Sequence, residues 1–294
     1  MCCPGDKEKA RATCHLPRVG FPFPLARMNF FHGCTALITG ASSGLGSEFA
    51  RQLAPHARSL ILVARRLERL EILREELDRP GLTIHCHAAD LADEVQIEAL
   101  LASLAASGER VTLLINNAGL GDHGFFEDSE WARVEAMLDV NIKALTRLTH
   151  ALLPDLVRTG RGAILNVSSI ASLLPLPKMG VYAATKAYVT SFSEALRAEL
   201  RETGVSVTAL CPGPVNTEFF EVAERAETSD SALSPAIFRV PAAEVVAAGL
   251  RAVETDRARV IPGWFVCLVM TIASLVPIFL LRLFLTQRRA ERMD

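Results

Sequence analysis

The sequence predicts an α/β protein with a single doubly wound domain, in which a parallel sheet carries helices on both faces, followed by an apolar helical extension at the C-terminus. Three observations support this prediction. From Cys34 onward, short apolar runs alternate with amphipathic stretches, which is the pattern of a parallel sheet covered by helices. A glycine-rich loop follows the first apolar run, and neither a linker nor an internal repeat divides the body of the chain. The chain has 294 residues, half of them hydrophobic, which is enough for one large core.

The apolar runs are short enough for strands, and helical patterns separate them. The predicted strands are Thr35–Thr39, Ser59–Ala64, Thr83–Ala88, Val111–Asn116, Gly162–Ser168, Val205–Cys211 and a short last strand at Arg259–Ile261. The helical patterns lie at Ser47–Ala54, Leu67–Leu77, Ser129–Val157 and Tyr182–Arg201. We expect the third of these helices to break near Pro154, because proline removes a backbone donor and its ring crowds the preceding turn.

The two ends of the chain differ from its body. Residues 1–28 contain no apolar run long enough for a secretory signal, and Phe21–Leu25 resists regular structure because each of its prolines restricts a neighbour. We therefore expect a disordered lead-in, and we regard Met28 as an alternative natural start because strand-like sequence begins soon after it. The α/β domain then covers residues 29–262, and an apolar tail covers residues 263–294.

Composition argues against two classes of function. The formal net charge is −2 with acidic and basic residues interspersed, whereas a nucleic-acid-binding protein usually shows a basic stripe, so we expect no nucleic-acid partner. The seven cysteines are scattered and lack Cys-x-x-Cys spacing, which is typical of reduced thiols in a cytoplasmic protein without a metal site. His85 and His87 flank Cys86, but alternation along a strand puts them on the opposite face, so we interpret them as structural residues rather than zinc ligands.

The loop Thr39–Gly46 joins the first predicted strand to the first predicted helix. Its glycines allow a tight turn and let backbone amides approach a pyrophosphate at the positive end of a helix. The spacing Gly-x-x-x-Gly-x-Gly differs from the standard fingerprint Gly-x-Gly-x-x-Gly, so an ordinary glycine-rich connection is the alternative. The residues predicted to contact a cofactor here are Gly40, Ser42, Ser43, Gly44, Leu45 and Gly46.

The end of the second predicted strand indicates which dinucleotide is held. In the dinucleotide fold an acidic residue at this place bonds the adenosine ribose and disfavours a 2′-phosphate. Here the strand continues into Arg65 and Arg66 without a carboxylate, and an arginine can clamp a phosphate. We therefore predict that Arg65 selects NADP(H), with NAD(H) as the alternative cofactor if both arginines only solvate the start of the next helix.

Tyr182 and Lys186 are the most informative pair in the chain. A tyrosine is a poor proton donor or base near neutral pH because its ordinary pKa is about 10, but a lysine one helical turn later can favour the phenolate. Ser169, which lies upstream, could hydrogen-bond a carbonyl oxygen while the tyrosine protonates it. Its neighbour Ser168 would face the other side of the strand. In isolation such a pair is more often an ordinary surface feature of an amphipathic helix than a catalytic pair.

Together these motifs resemble the short-chain dehydrogenase/reductase family, whose domain is a Rossmann-type doubly wound sheet, and the resemblance covers roughly Asn29 to Pro262. The loop Thr39–Gly46 matches the family's Thr-Gly-x-x-x-Gly-x-Gly, and Asn116–Gly119 matches its Asn-Asn-Ala-Gly signature. The catalytic residues that the resemblance implies are Asn141, Ser169, Tyr182 and Lys186. Asn141 falls where the family keeps a helix asparagine that positions a water in the proton relay.

The resemblance also implies cofactor contacts beyond the glycine loop. They are Asp90 and Leu91 beside the adenine ring, Asn117, Ala118 and Gly119 on the floor of the site, Tyr182 and Lys186 near the ribose, and Pro212, Gly213, Val215 and Thr217 at the nicotinamide. Each fragment has an ordinary structural alternative: a turn at Asn116–Gly119, a back-bonded helix residue at Asn141, and a loop-breaking Pro-Gly at Pro212.

The function that the resemblance implies is hydride transfer between a nicotinamide and a small-molecule carbonyl or alcohol, and we expect a hydrophobic substrate. The stretch Glu218–Arg239 lies where the family carries a lid, and Leu173, Leu174 and Leu176 are expected to line the same pocket. A 3-oxoacyl-thioester reductase of lipid metabolism is one alternative, and a nucleotide-sensing regulator without catalysis is another. By analogy with the family, we expect a homodimer or a homotetramer.

The tail contains a long uncharged segment, Trp264–Leu281. As a helix it would reach about 27 Å, just short of a hydrocarbon core, and Pro277 would kink it. Arginines at both ends leave its orientation in a bilayer undecided. We expect either a membrane surface contact through residues 264–285 or packing against the enzyme or a second subunit. The protein is then cytoplasmic, with peripheral or anchored membrane attachment as the alternative.

Overall fold

The computed structural model describes residues 30–215, 239–277 and 279–282, which form a parallel sheet with helices on both faces. The strands are β1 Thr35–Thr39, β2 Ser59–Ala64, β3 Thr83–Ala88, β4 Leu113–Asn116, β5 Gly162–Val167, β6 Val205–Leu210 and β7 Arg259–Val260. Their order in the sheet is β3-β2-β1-β4-β5-β6-β7, and each described neighbour pair is parallel. The predicted fold class is confirmed.

The helices connect these strands and cover the sheet. They are α1 Gly44–Leu53, α2 Leu67–Leu77, α3 Glu94–Ser107, α4 Trp131–Leu138, α5 Leu145–Thr159, α6 Gly180–Glu199, α7 Ala242–Glu254 and α8 Trp264–Leu275. Short 3₁₀ turns lie at Phe126–Asp128 and Ile170–Leu173, and a π-helical turn at Asp139–Ala144 joins α4 to α5.

The predicted break at Pro154 is wrong. Pro154 lies inside the continuous helix α5, and the chain departs from α-helical geometry earlier, in the π-helical turn at Asp139–Ala144. Proline deprives only the carbonyl of His150 of its helical donor. Because Pro154 and His150 are both exposed, that carbonyl can be hydrated and the helix continues.

The core lies on both sides of the sheet. Adjacent residues of a strand face opposite ways, so on β1 Ile38 packs in a cluster with Phe49 of α1, whereas Leu37 packs in the other cluster with Leu148 of α5. The central strands are buried along their length, as expected for a parallel sheet covered on both faces. The edge strand β3 is partly exposed.

The topology places a crevice between β1 and β4. From β1 the chain moves outward to β2 and β3, then returns to the other side at β4. The loops that leave the carboxyl ends of β1 and β4 therefore diverge, and ligands of open α/β sheets bind at such a switch point.

The apolar tail begins as a helix that packs on the domain with one face. Val266 and Met270 of α8 are buried in a core cluster, whereas Trp264, Leu268, Ile272 and Leu275 are exposed. Within the described residues, no helix combines the length and the apolar character that crossing a membrane requires.

Candidate active site

A cavity of about 690 Å³ opens along the carboxyl ends of the strands. It brings together most of the residues that the sequence indicates. Those that line it are Gly40, Ser42, Ser43, Gly44, Leu45, Arg65, Asp90, Leu91, Asn117, Ala118, Gly119, Ser169, Tyr182, Lys186, Pro212, Gly213 and Val215. Gly46 and Asn141 do not line it, and Thr217 lies outside the described residues together with residues 218–238 of the expected lid.

The glycine loop is packed so tightly that side chains are excluded at two positions. A Cβ atom on Gly46 would overlap the carbonyl oxygen of Gly40, and one on Gly40 would lie 2.9 Å from the Cα of Ala118. Gly40 also has a φ of +66°, which L-residues other than glycine rarely adopt. Gly46 therefore serves the packing of the loop rather than the surface of the cavity.

The loop after β4 is held against the loop after β1. The Nδ2 of Asn117 donates to the carbonyl oxygens of Thr39 and Gly40, at 2.9 and 3.2 Å. The Oγ1 of Thr39 accepts from the backbone N–H groups of Asn117 and Ala118, both at 3.0 Å. These hydrogen bonds, each between a side chain and a main-chain atom, hold together the two loops that border the crevice.

Helix α1 starts at the cavity without a side-chain cap. Its N-cap residue, Ser43, makes no capping hydrogen bond, and a helix N-terminus with unsatisfied backbone N–H groups favours an anion. The Nη2 of Arg66 lies 3.3 Å from the Oγ of both Ser42 and Ser43. The loop residues, Arg65 and Arg66 thus give this end of the cavity a positive potential.

The Ser-Tyr-Lys group occupies the middle of the cavity. Ser169 caps the 3₁₀ turn after β5, and its Oγ accepts from the backbone N–H of Ala171 at 3.1 Å. Tyr182 and Lys186 lie on consecutive turns of α6, and the Lys186 Nζ donates to the carbonyl of Val167 at 2.9 Å. Ser169 and Tyr182 also hydrogen-bond each other. These contacts fix three side chains from two elements around one point.

Ser168 points away from this group. Its Oγ donates to the carbonyl of Lys186 at 2.9 Å and lies 2.7 Å from the Oγ1 of Thr190. It therefore fastens β5 to α6, which agrees with the expectation that the two adjacent serines face opposite sides.

Burial dominates the titration of both ionisable groups. It raises the pKa of Tyr182 to about 12, and the hydrogen bond with Ser169 acts in the lowering direction. It lowers the pKa of Lys186 to about 8, against an opposing effect of Cys211. The Lys186 Nζ lies 5.9 Å from the centre of the Tyr182 ring. The net effect raises the Tyr182 pKa, so the lowering expected from Lys186 is not found, and the opposing contribution comes from the hydrogen bond with Ser169.

Asn141 is buried in the π-helical turn and holds neighbouring segments together. Its Oδ1 accepts from the N–H of Leu120 at 2.8 Å, and its Nδ2 donates to the Leu120 carbonyl at 2.9 Å and to the Thr185 Oγ1 at 3.0 Å. Isolated π-helical turns often occur at functional sites. Here the turn lets one side chain reach both the strand-end loop and α6.

The structure adds cavity residues that the sequence reasoning missed. They are Gly121, His123, Ala136, Val140, Met179, Val269 and Met270 among others, and Arg66, which the sequence analysis named beside Arg65, lines the cavity as well. Of the three leucines expected in the pocket, Leu176 lines it, whereas Leu173 and Leu174 pack against the core. His123 lies four residues beyond Gly119 and is buried. Its closeness to the Asn-Asn-Ala-Gly stretch is the only sequence signal that could have found it.

The cysteine between two histidines packs against α2. The Cys86 Sγ contacts the carbonyl of Leu70 at 3.4 Å, and burial raises the pKa of its thiol. Among the described residues, no group of His, Cys, Asp and Glu side chains could hold a metal ion.

Comparison with known proteins gives consistent matches. A family model described as short chain dehydrogenase matches residues 34–228. A sulfoacetaldehyde reductase of Chromohalobacter salexigens is 44% identical over 207 residues, which cover 69% of this chain and 79% of the relative. An NADP-dependent 3-hydroxy acid dehydrogenase of Salmonella typhi is 40% identical over 190 residues, or 63% of this chain and 75% of the relative. A short-chain dehydrogenase from Sphingobium yanoikuyae, solved in complex with NADPH, superposes on this chain with a TM-score of 0.73 at 32% identity. The match covers 87% of this chain and 96% of the chain in that structure.

Proposed function

The chain belongs to the short-chain dehydrogenase/reductase family, and from that premise we propose that it is an NADP(H)-dependent enzyme that interconverts a carbonyl and a secondary alcohol in a hydrophobic small molecule. It is an oxidoreductase that acts on CH–OH and C=O groups. The observation that carries the finer proposal is the hydrogen-bonded pair Ser169–Tyr182 with Lys186 one turn away, in a cavity that also contains the glycine loop.

The residues present fit a dinucleotide with an extra phosphate. The uncapped N-terminus of α1 and the loop Gly40–Gly46 would hold the pyrophosphate, and Arg65 and Arg66 would hold the 2′-phosphate. Support comes from the Salmonella typhi relative, which is named NADP-dependent, and from the Sphingobium yanoikuyae structure, which contains NADPH. NAD(H) stays the alternative cofactor. The other contacts would come from Asp90, Leu91, Asn117, Ala118, Gly119, Tyr182, Lys186, Pro212, Gly213, Val215 and Thr217.

The protein's own residues would handle the proton. When bound, the nicotinamide would supply the hydride to the carbonyl carbon in reduction, or accept it in oxidation. Ser169 would donate a hydrogen bond to the substrate oxygen, and Tyr182 would transfer its phenolic proton to that oxygen. Because the pKa of Tyr182 is raised to about 12, the phenol is protonated near neutral pH, which suits it as the acid of the reductive direction.

Lys186 and Asn141 would support this step without meeting the substrate. The Lys186 ammonium, held at the Val167 carbonyl, would bind the ribose hydroxyls. Asn141 would act as a positioning residue, since it ties the segment after Gly119 to α6. The water relay that the family resemblance implies would start beside this asparagine.

The lining around the reactive group supports a hydrophobic substrate. Ala136, Val140, Leu176 and Met179 present apolar side chains to the cavity. Sulfoacetaldehyde and 3-hydroxy acids, which appear in the relatives' names, carry an anionic group. Among the described residues that line the cavity, the cationic side chains are Arg65, Arg66 and Lys186, and the proposed cofactor contacts use all three. A neutral carbonyl compound therefore fits this lining better than an anionic one.

A spectroscopic panel tests the proposal. Oxidation of NADPH would be followed by absorbance with aldehydes, ketones and acyl thioesters. Turnover of apolar aldehydes or ketones is expected. Preferential turnover of acyl thioesters would favour the 3-oxoacyl-thioester reductase. NADPH binding without turnover of any compound would favour the nucleotide-sensing regulator and contradict the proposed activity.

The exposed side of α8 supports a further contact of the whole protein. Trp264, Leu268, Ile272 and Leu275 form an apolar stripe along it, which would be covered by a second copy in a homodimer or homotetramer, or by a membrane surface. Either cover suits a cytoplasmic protein. Sedimentation and flotation with anionic phospholipid vesicles would distinguish them, with Leu268→Ser as the variant expected to weaken the contact. A monomer that stays with the soluble fraction would contradict both.

A further inference from the structure

We propose that helix α8 forms a wall of the substrate end of the cavity and that Val269 and Met270 set the size of the carbonyl compound that is accepted. The inference rests on the proposed function, and it gives the apolar tail a role inside the active site. Neither the motifs nor the compositional pattern of the tail indicates such a role.

The turn before α8 directs the helix back over the catalytic residues. Gly263 follows β7 with a φ of +85°, and a Cβ atom there would lie 3.0 Å from the Val240 Cγ2. Helix α8 then contacts the 3₁₀ turn Ile170–Leu173, which is the segment that directly follows Ser169. The chain therefore returns to the reactive group after the sheet is complete.

The two faces of α8 have different surroundings. Val266 and Met270, one turn apart, are buried in the core cluster, so the helix is docked rather than loosely attached. Val269 is half-buried and lines the cavity together with Met270. Leu268, the neighbour of Val269, is exposed. The helix thus provides a cavity-lining residue and an exposed apolar residue at adjacent positions.

The side chains on this wall can discriminate only by size and shape. An isopropyl group and a thioether offer no strong hydrogen-bond donor or acceptor, so the wall favours the apolar part of a substrate. Methionine is flexible and adapts to irregular shapes, whereas the β-branched valine is stiff. We therefore assign coarse size selection to Val269 and a more adaptable contact to Met270.

The test compares the specificity for ketones of increasing size. With NADPH as cofactor, kcat/KM would be measured for acetone, acetophenone and benzophenone. Val269→Trp should lower the benzophenone-to-acetone ratio of kcat/KM roughly tenfold, and Met270→Ala should raise it roughly threefold, within the range that pocket size changes produce. Thr271→Trp and Thr271→Ala, made at an exposed position of the same helix outside the apolar stripe, should leave the ratio unchanged.

The outcomes separate this inference from the proposed function. An unchanged benzophenone-to-acetone ratio in Val269→Trp, with wild-type NADPH affinity and melting temperature, would contradict the assignment of Val269 to the cavity wall. Should Met270→Ala fail to fold, Val269→Trp alone decides, because Val269 is not part of the buried cluster. If wild-type protein binds NADPH but reduces none of the ketones, the proposed function fails. Equilibrium dialysis of benzophenone against the NADPH-loaded protein then tests the role of Val269. Weaker binding to Val269→Trp than to Thr271→Trp supports that role, and equal binding contradicts it.

Discussion

The two ends of the cavity are built in different ways. At the cofactor end, two residues fix the course of the main chain: Gly46 leaves no room for a side chain against Gly40, and the Asn117 amide bonds the carbonyls of Thr39 and Gly40. At the substrate end, the surface consists of apolar side chains from elements far apart in the chain, including Ala136 of α4 and Met270 of α8. Residues that fix the main chain tolerate few substitutions, whereas a cavity wall made of side chains can be reshaped by changing one residue. The difference suggests that the chemistry is constrained and the substrate choice is adjustable.

The largest effect is expected at Tyr182, where the two ends meet. Tyr182→Phe removes the phenolic proton but keeps the ring, so turnover should fall by about a thousandfold, the range expected for general acid–base catalysis. NADPH affinity, measured by fluorescence titration, should change by less than about twofold because the glycine loop, the arginines and Lys186 still hold the cofactor.

Tyr188 provides the matched control for this prediction. It is the other tyrosine of the chain, lies on the same helix, and is partly exposed with its hydroxyl 2.9 Å from the Thr146 Oγ1. Tyr188→Phe should retain wild-type turnover. Retained turnover in Tyr182→Phe would remove Tyr182 from the mechanism and place the chemistry elsewhere.

The next largest effect tests how little change the cofactor end tolerates. Gly46→Ala puts a methyl group against the backbone oxygen of Gly40, and backbone cannot rotate away as a side chain can. We expect a loss of about 2–3 kcal/mol in unfolding free energy, at the upper end of overpacking effects, together with weaker NADPH binding. Urea denaturation would measure the first and fluorescence titration the second.

Gly180→Ala is the control for the glycine loop. Gly180 begins α6, and a Cβ atom there would meet nothing within 4 Å, so alanine should be neutral or slightly stabilising. Equal stability of Gly46→Ala and Gly180→Ala would mean that the glycine loop is less tightly packed than the distances indicate.

The contrast between the two ends also explains how much could be predicted from the sequence. The glycine loop was predictable because a tight backbone approach demands glycine, whereas Asn116–Gly119 was identified through the family resemblance. Met270 and His123 were not predictable, since apolar and buried residues are common and nothing local shows which of them a later helix or loop turns toward the cavity. The wrong break at Pro154 has a related cause, because whether a carbonyl without its donor is hydrated depends on exposure in the fold.

Lys186 provides a pH test at the boundary between the two ends. Its pKa is lowered by burial from 10.5 to about 8, so between these values the unfolded chain binds a proton that the folded chain does not. Stability should therefore rise with pH in this window. Above about pH 10 the raised pKa of Tyr182 acts in the opposite direction, because only the unfolded chain then loses the phenolic proton.

The measurement isolates Lys186 by comparison with Lys186→Met, which keeps an unbranched side chain without the charge. The difference in unfolding free energy, wild type minus variant, should rise by about 2 kcal/mol between about pH 8 and pH 10 in nucleotide-free protein. A difference that stays constant across this range would show that Lys186 keeps its ordinary pKa and is better solvated than its burial indicates.

The smallest expected effect concerns the two arginines, where the cofactor end depends on side chains rather than main chain. Losing one charge-assisted contact to a phosphate should raise KM for NADPH about tenfold and leave KM for NADH nearly unchanged. Arg65→Ala and Arg66→Ala separate two roles, because Arg66 already contacts Ser42 and Ser43 of the glycine loop, whereas Arg65 is exposed at the cavity. If Arg65 selects the cofactor, Arg65→Ala shifts the NADPH preference alone, while Arg66→Ala also weakens the binding of NADH by loosening the loop.

Arg74→Ala, on the far part of α2 beside Glu71, is the control and should change neither KM. A shift in preference that appears only in Arg66→Ala would transfer the phosphate contact from Arg65 to Arg66, and no shift in either variant would make NAD(H) the better assignment.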